Sequence, residues 1–148
     1  MLDKIFYNWA KTFYKNTKSV PGIIILYREG LSDAQAQVQL RPELESLHYM
    51  VEQIGEKTKT KNYEPEIVYM TVNKKINSRF FMAEGNNPQQ GGNKFIPKVL
   101  NPSSGSVIVE EMSKNDAYDF HLAAQLVTQG TCTPTHYTVA YNGSKIPQ

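Results

Sequence analysis

Glu29 is the first residue whose chemistry and position together need a reason. It stands near the end of "IIILYREG", residues 23–30, where four aliphatic residues lead into Tyr27, Arg28, Glu29 and Gly30. In an open α/β sheet, functional groups gather at the carboxyl ends of strands. A glycine at that point lets the backbone turn sharply. A carboxylate placed there can hold Mg²⁺ or Mn²⁺, which prefer oxygen ligands. A plain surface ion pair between Arg28 and Glu29 accounts for the same residues.

The second constellation is "VNKKINSRFF", residues 72–81. Lys74, Lys75 and Arg79 carry charge that neutralises phosphates, and Asn73, Asn77 and Ser78 supply neutral hydrogen bonds that position them. The competing account is a strand edge kept soluble by lysines. The third is "QGTCTPTHY", residues 129–137, whose Gln129, Thr131, Thr133 and Thr135 suit phosphates or 2′-hydroxyls and equally suit an ordinary loop. His136 has no serine, cysteine or carboxylate pattern beside it and reads as structural. The chain carries no nucleophile elbow, P-loop, dinucleotide fingerprint or metalloprotease motif.

Composition narrows the classes. The 148 residues suit one domain, and 40% hydrophobic residues can supply a core. A formal net charge of +2 does not announce a nucleic-acid binder, so any such role must come from local clustering. The single cysteine, Cys132, excludes an intrachain disulfide and a zinc site built from cysteines. An intracellular location, cytoplasmic or nuclear, fits a chain with no signal-peptide pattern and no apolar run long enough to span a membrane.

The elements that must position these residues follow from periodicity. Leu2, Ile5, Phe6, Trp9 and Phe13 mark one face of a helix. "IIILY" reads as a strand buried on both faces. Ser32 and Gln35 form a capping-box pattern that starts a second helix, which Pro42 is expected to break near Arg41. A further helix then carries Leu40, Leu44, Leu47, Val51 and Ile54 as its apolar stripe. "GEKTKTKNYEP" reads as a polar, basic loop. "EIVYMTVNKK" reads as a buried strand and "SRFFM" as another. Residues 83–106 read as a long irregular loop, and "VIVEEM", "YDFHLAAQ" and "PTHYTVAYN" as strands. Helix, strand, helix and then several strands imply an α/β layer structure. The chain ends soon after a strand and a turn, so it is expected to be part of a larger domain.

Four of these segments, in order, resemble the PIWI domain of the Argonaute/Piwi family: "FYKNTKSVPGIIILYREGLSDAQ", "YEPEIVYMTVNKKINSRFF", "NPSSGSVIVEE" and "YDFHLAAQLVTQGTCTPTHYTV". The resemblance covers most of the chain, and residues 1–148 are expected to be the C-terminal part of such a domain, lacking upstream and final portions. It implies an RNase H-like α/β fold, a mixed β-sheet flanked by helices and incomplete in this chain. It implies small guide RNA and complementary target RNA as partners, no membrane, and the remaining Argonaute domains as neighbours in a full-length protein. Some members cut the target with two Mg²⁺ ions held by acidic residues and a histidine, which makes Glu29 a metal-ligand carboxylate here.

This chain departs from the family pattern in ways that bear on function. Glu29 stands where the family usually has aspartate, one methylene shorter. Upstream acidic ligands and the downstream catalytic histidine fall outside the matching segments, so the chain alone is not expected to cleave RNA. Gln125 and Thr133 stand where many members have histidine and arginine. On the resemblance, Asn73, Lys74, Lys75, Asn77 and Arg79 fall on the guide-contacting segment, with Gln125, Gln129 and Thr131 on the later loop. The leading expectation is small-RNA silencing through sugar-phosphate contacts. Two others stay open: a piece of an active Mg²⁺-dependent RNA-guided endonuclease, or a degenerate product without RNA binding.

Overall fold

A computed structural model describes residues 2–31, 33–84, 98–109 and 118–143. The elements in chain order are α1 (Leu2–Thr17), β1 (Ile23–Glu29), α2 (Asp33–Thr58), β2 (Glu66–Asn73), β3 (Met82–Glu84), β4 (Lys98–Leu100), β5 (Ser106–Val109), β6 (Tyr118–Ala123) and β7 (Thr135–Asn142). Five strands hydrogen-bond in the order β1-β2-β7-β6-β5, and β3 pairs with β4. The chain forms two compact units, Met1–Thr71 with Val139–Gln148, and Val72–Thr138.

In the first unit, β1, α2 and β2 make a crossover. Glu66 N, at the start of β2, donates to Gly22 O just before β1, at 2.9 Å, so the two strands start level and run parallel. Gly143 N, just past β7, donates to Ile67 O near the start of β2, which makes that pairing antiparallel. The core is Ala10 of α1, Ile24 of β1, Leu47, Met50, Val51 and Ile54 of α2, and Ile67 of β2. Three residues of the α2 stripe expected from sequence, Leu47, Val51 and Ile54, are buried, and Leu44 packs against them.

Several sequence expectations are corrected in this unit. β1 is not buried on both faces. Ile24 is 6% exposed, but Ile23 and Ile25 are 47% and 46% exposed, and Tyr27 59%. The strand lies at the end of the sheet order and alternates, so its continuous apolar run does not report two covered faces among the described residues. Pro42 does not break the helix, because α2 runs unbroken from Asp33 to Thr58. Proline removes the bond to the carbonyl of Val38, but Val38 is 76% exposed, so water can take that carbonyl. The helix also continues through Gly55–Thr58, the start of the expected loop. On α1 the expected apolar face is divided: Phe6 packs on the core, while Ile5 and Trp9 are exposed. Ser32, the expected cap, lies outside the described residues, although α2 does begin at Asp33.

In the second unit, Val72 is buried as β2 ends. The "SRFFM" strand begins only at Met82, and the stretch 83–106 is not irregular throughout: β4, Lys98–Leu100, lies inside it and pairs with β3, Met82 opposite Leu100 and Glu84 opposite Lys98. Residues 85–97, and 110–112 of "VIVEEM", lie outside the described residues. β5 pairs antiparallel with β6, Ser106 opposite Ala123 and Val109 opposite Phe120. The strand side chains stack. Phe120 and Tyr137 lie parallel at 4.9 Å between centroids, and His121 and His136 at 4.5 Å. Phe80 meets His121 edge-on at 4.9 Å, and His136 Nε2 is 3.8 Å from Asp119 Oδ1. His136 thus has a carboxylate neighbour, Asp119, that its sequence surroundings did not show. No helix among the described residues is long and apolar enough to cross a membrane.

Two phenols, Tyr69 buried and Tyr63 half-buried, give the first unit an alkaline limit. Tyr63 Oη donates to Pro21 O at 2.8 Å, and Tyr69 Oη donates to Glu43 Oε2 at 2.8 Å. Burial pushes Tyr63 up to about 12. Burial also raises Tyr69, helped by the bond to Glu43 and its charge and opposed by Arg28. An unfolded tyrosine releases its proton near pH 10. Between that pH and the folded values the unfolded state binds fewer protons, so stability is full below about pH 10 and falls above it. Thermal unfolding from pH 9 to 11 should show that fall, and the pair Tyr63→Phe with Tyr69→Phe should flatten it. An equal fall in the double variant would refute the assignment.

Candidate nucleic-acid interface

The cationic segment begins where β2 leaves the sheet. Asn73 is its last residue and is half-buried, while Lys74 and Lys75 are exposed. Asn73 Oδ1 accepts from Lys75 N at 3.0 Å, an Asx turn that bends the chain immediately after the strand. Ile76 is half-buried, and Asn77, Ser78 and Arg79 are exposed. Arg79 Nη1 donates to Ile76 O at 2.9 Å and to Ser78 O at 2.8 Å. The guanidinium is therefore pinned by one corner to its own turn. Nε and Nη2 form the edge that a bidentate phosphate contact uses.

The later loop, between β6 and β7, exposes Gln125, Gln129 and Thr131. Its backbone is held by Asn101, which follows β4. Asn101 Nδ2 donates to Val127 O at 3.1 Å and to Gly130 O at 2.8 Å, and its Oδ1 accepts from Cys132 N at 2.9 Å. Ser104 Oγ donates to Ala124 O at 2.8 Å, and Gly105 N to Ala123 O at 2.8 Å. Gly130 takes a φ of 86°, which a side chain would resist. Cys132 and Pro134 are buried below the loop. Asn101 is a positioning residue that the sequence reading did not single out. Its signal was an asparagine before a proline, next to a turn-rich stretch.

Lys74, Lys75, Asn77, Arg79, Gln125, Gln129 and Thr131 all belong to the second unit, and all are exposed, with Asn73 half-buried at their start. Glu29 belongs to the first unit and is exposed at the end of β1. Gly30 follows with a φ of 83°, so the sharp turn expected there is present.

Arg28 does more than a surface pair with Glu29 requires. Its Nε donates to Glu43 Oε1 at 3.1 Å, its Nη2 to Gln39 Oε1 at 3.4 Å, and its Nη1 to the main-chain oxygen of Glu29 at 3.1 Å. Glu43 is 6% exposed, and Tyr69, which completes the network, is fully buried. The arginine turns inward and directs the strand end. Among the described residues, no three His, Cys, Asp or Glu side chains assemble into a metal site. Glu29 by itself does not complete a metal site among the described residues.

A family model for the Piwi domain matches residues 1–148. The chain belongs to the Piwi domain family. It is 36% identical over 128 residues to Piwi-like protein 3 of Homo sapiens, a match covering 86% of this chain and 13% of that protein. It is 34% identical over 138 residues to Piwi-like protein Ago3 of Bombyx mori, covering 93% of this chain and 13% of the relative. The chain thus spans a small part of the length of the relatives it matches. The fold is shared with the crystal structure of Drosophila Piwi, with a TM-score of 0.73 at 23% identity over 99% of this chain and 18% of the other. It is shared with Kluyveromyces polysporus Argonaute solved with a guide RNA, with a TM-score of 0.78 at 21% identity over 98% of this chain and 17% of the other. These likenesses establish the RNase H-like architecture expected from sequence.

Proposed function

We propose that this Piwi chain contributes sugar-phosphate contacts to a small guide RNA, or to a guide paired with its target, within RNA silencing. Asn73, Lys74, Lys75, Asn77 and Arg79 form the principal contact, and Gln125, Gln129 and Thr131 a neutral one. The other domains of an Argonaute-type protein supply the rest of the binding channel. The observation that carries this reading is the pinned guanidinium of Arg79, which keeps a donor edge in place at low entropic cost. The Argonaute solved with a guide RNA shares this fold. Contacts of this type do not read sequence. Base pairing between guide and target supplies specificity, as in other RNA-guided proteins.

The test is binding of a short RNA duplex at several salt concentrations. Lys74→Ala with Arg79→Ala should weaken binding roughly tenfold and lower the salt slope by about 2, one counterion per lost contact. Affinity and slope equal to those of the unaltered chain would exclude the segment as an RNA contact.

A further inference from the structure

The two helices carry a second cationic feature that the reading above does not use. Lys4, Tyr7, Lys11, Tyr14 and Lys15 recur at steps of three and four along α1, which puts them on one face. Lys4, Lys11, Tyr14 and Lys15 are exposed there. Beside this face, α1 and α2 form an open groove of about 200 Å³ lined by Lys4, Tyr7, Tyr49, Met50, Gln53 and Lys57. Lys57 reaches across from α2. Its Nζ donates to Tyr7 Oη at 3.1 Å and lies 4.2 Å from the ring centroid. Tyr49 is 55% exposed at the other wall.

We propose that this groove binds a segment of single-stranded RNA, with phosphates on Lys4, Lys11 and Lys57 and a base stacked on Tyr49. Aromatic faces interleaved with cations are what an unpaired strand requires, because every base offers a π-face and every linkage a charge. Helical rise sets Lys4 and Lys11 about 10 Å apart along the axis of α1, and Lys57 approaches from α2. The two charged groups lining the groove, Lys4 and Lys57, are both donors. The proposal rests on the nucleic-acid reading above for the kind of ligand, and on different residues for its place.

The experiment uses the whole chain and a fluorescent 20-nucleotide oligouridylate, which cannot pair with itself. Lys4→Gln, Lys11→Gln and Lys57→Gln combined should weaken binding about tenfold and lower the salt slope by about 2, near 0.7 for each single-strand phosphate released. Tyr49→Ala should weaken it a further several-fold while Tyr49→Phe does not. The same three lysines changed to arginine should bind as the unaltered chain does, and circular dichroism should show every variant folded. The inference is overturned if the glutamine variant binds within twofold of the unaltered chain. It is also overturned if Tyr49→Ala has no effect and polyglutamate competes as well as RNA, the behaviour of an acidic-peptide site. Loss of oligouridylate binding in the groove variant, with duplex binding untouched by Lys74→Ala and Arg79→Ala, would retain the groove and remove the principal contact proposed above.

Discussion

Glu43→Ala is expected to destabilise the first unit by about 3 kcal/mol, near the lower end for breaking a buried ion pair. The carboxylate accepts from Arg28 Nε at 3.1 Å and from Tyr69 Oη at 2.8 Å. Tyr69 is fully buried, so its hydroxyl would stay in a dry site with no acceptor. Arg28 moderates the loss. Its side chain is 36% exposed against 8% for Glu43, so part of its charge can be returned to water. Glu43→Gln keeps the shape and one acceptor oxygen and should cost less, about 1–2 kcal/mol. Urea unfolding reads both through the midpoint, with the slope unchanged. A shift below 0.5 kcal/mol for the alanine variant would mean that the network does not hold the end of β1.

The second large effect is local. Asn101→Ala removes three hydrogen bonds from the loop between β6 and β7, about 3 kcal/mol at the usual net value near 1 each. The loss should appear in the loop before the fold, because the bonds tie one irregular segment to another. Amide exchange at Cys132 is the direct measurement, since its N–H donates to Asn101 Oδ1, and protection should fall about a hundredfold. Asn101→Asp separates the two roles of the side chain. It keeps an acceptor for Cys132 N but sets negative oxygens against the carbonyls of Val127 and Gly130, so the loop should open at least as far. Unchanged exchange in both variants would show that the loop holds itself.

How much could be read beforehand follows from what each signal measures. The α2 stripe was legible because Leu47, Val51 and Ile54 repeat at helical spacing and each finds the core. The turn at Gly30 was legible because a glycine after a strand is a backbone statement. β1 misled because hydrophobicity reports a preference for burial, and Ile23 and Ile25 sit on a face that stays about half exposed among the described residues. Pro42 misled because the cost of an interior proline depends on whether water reaches the carbonyl one turn back. The cationic segment was legible as charge, but the turn that pins Arg79 to Ile76 and Ser78 depends on main-chain geometry. Glu43 carried a signal that went unread: it lies four residues before Leu47, on the buried side of the helix, where a carboxylate demands a partner.

Asn101 grips only main-chain atoms, two oxygens and one nitrogen. Its hold is blind to the side chains displayed at 125, 129 and 131, which all point outward to solvent. Substitution at those three positions therefore leaves all three bonds of Asn101 in place. Changes there alter what the surface displays without removing the bonds that shape it, so this stretch is a dial that natural selection, or a protein engineer, can turn by itself.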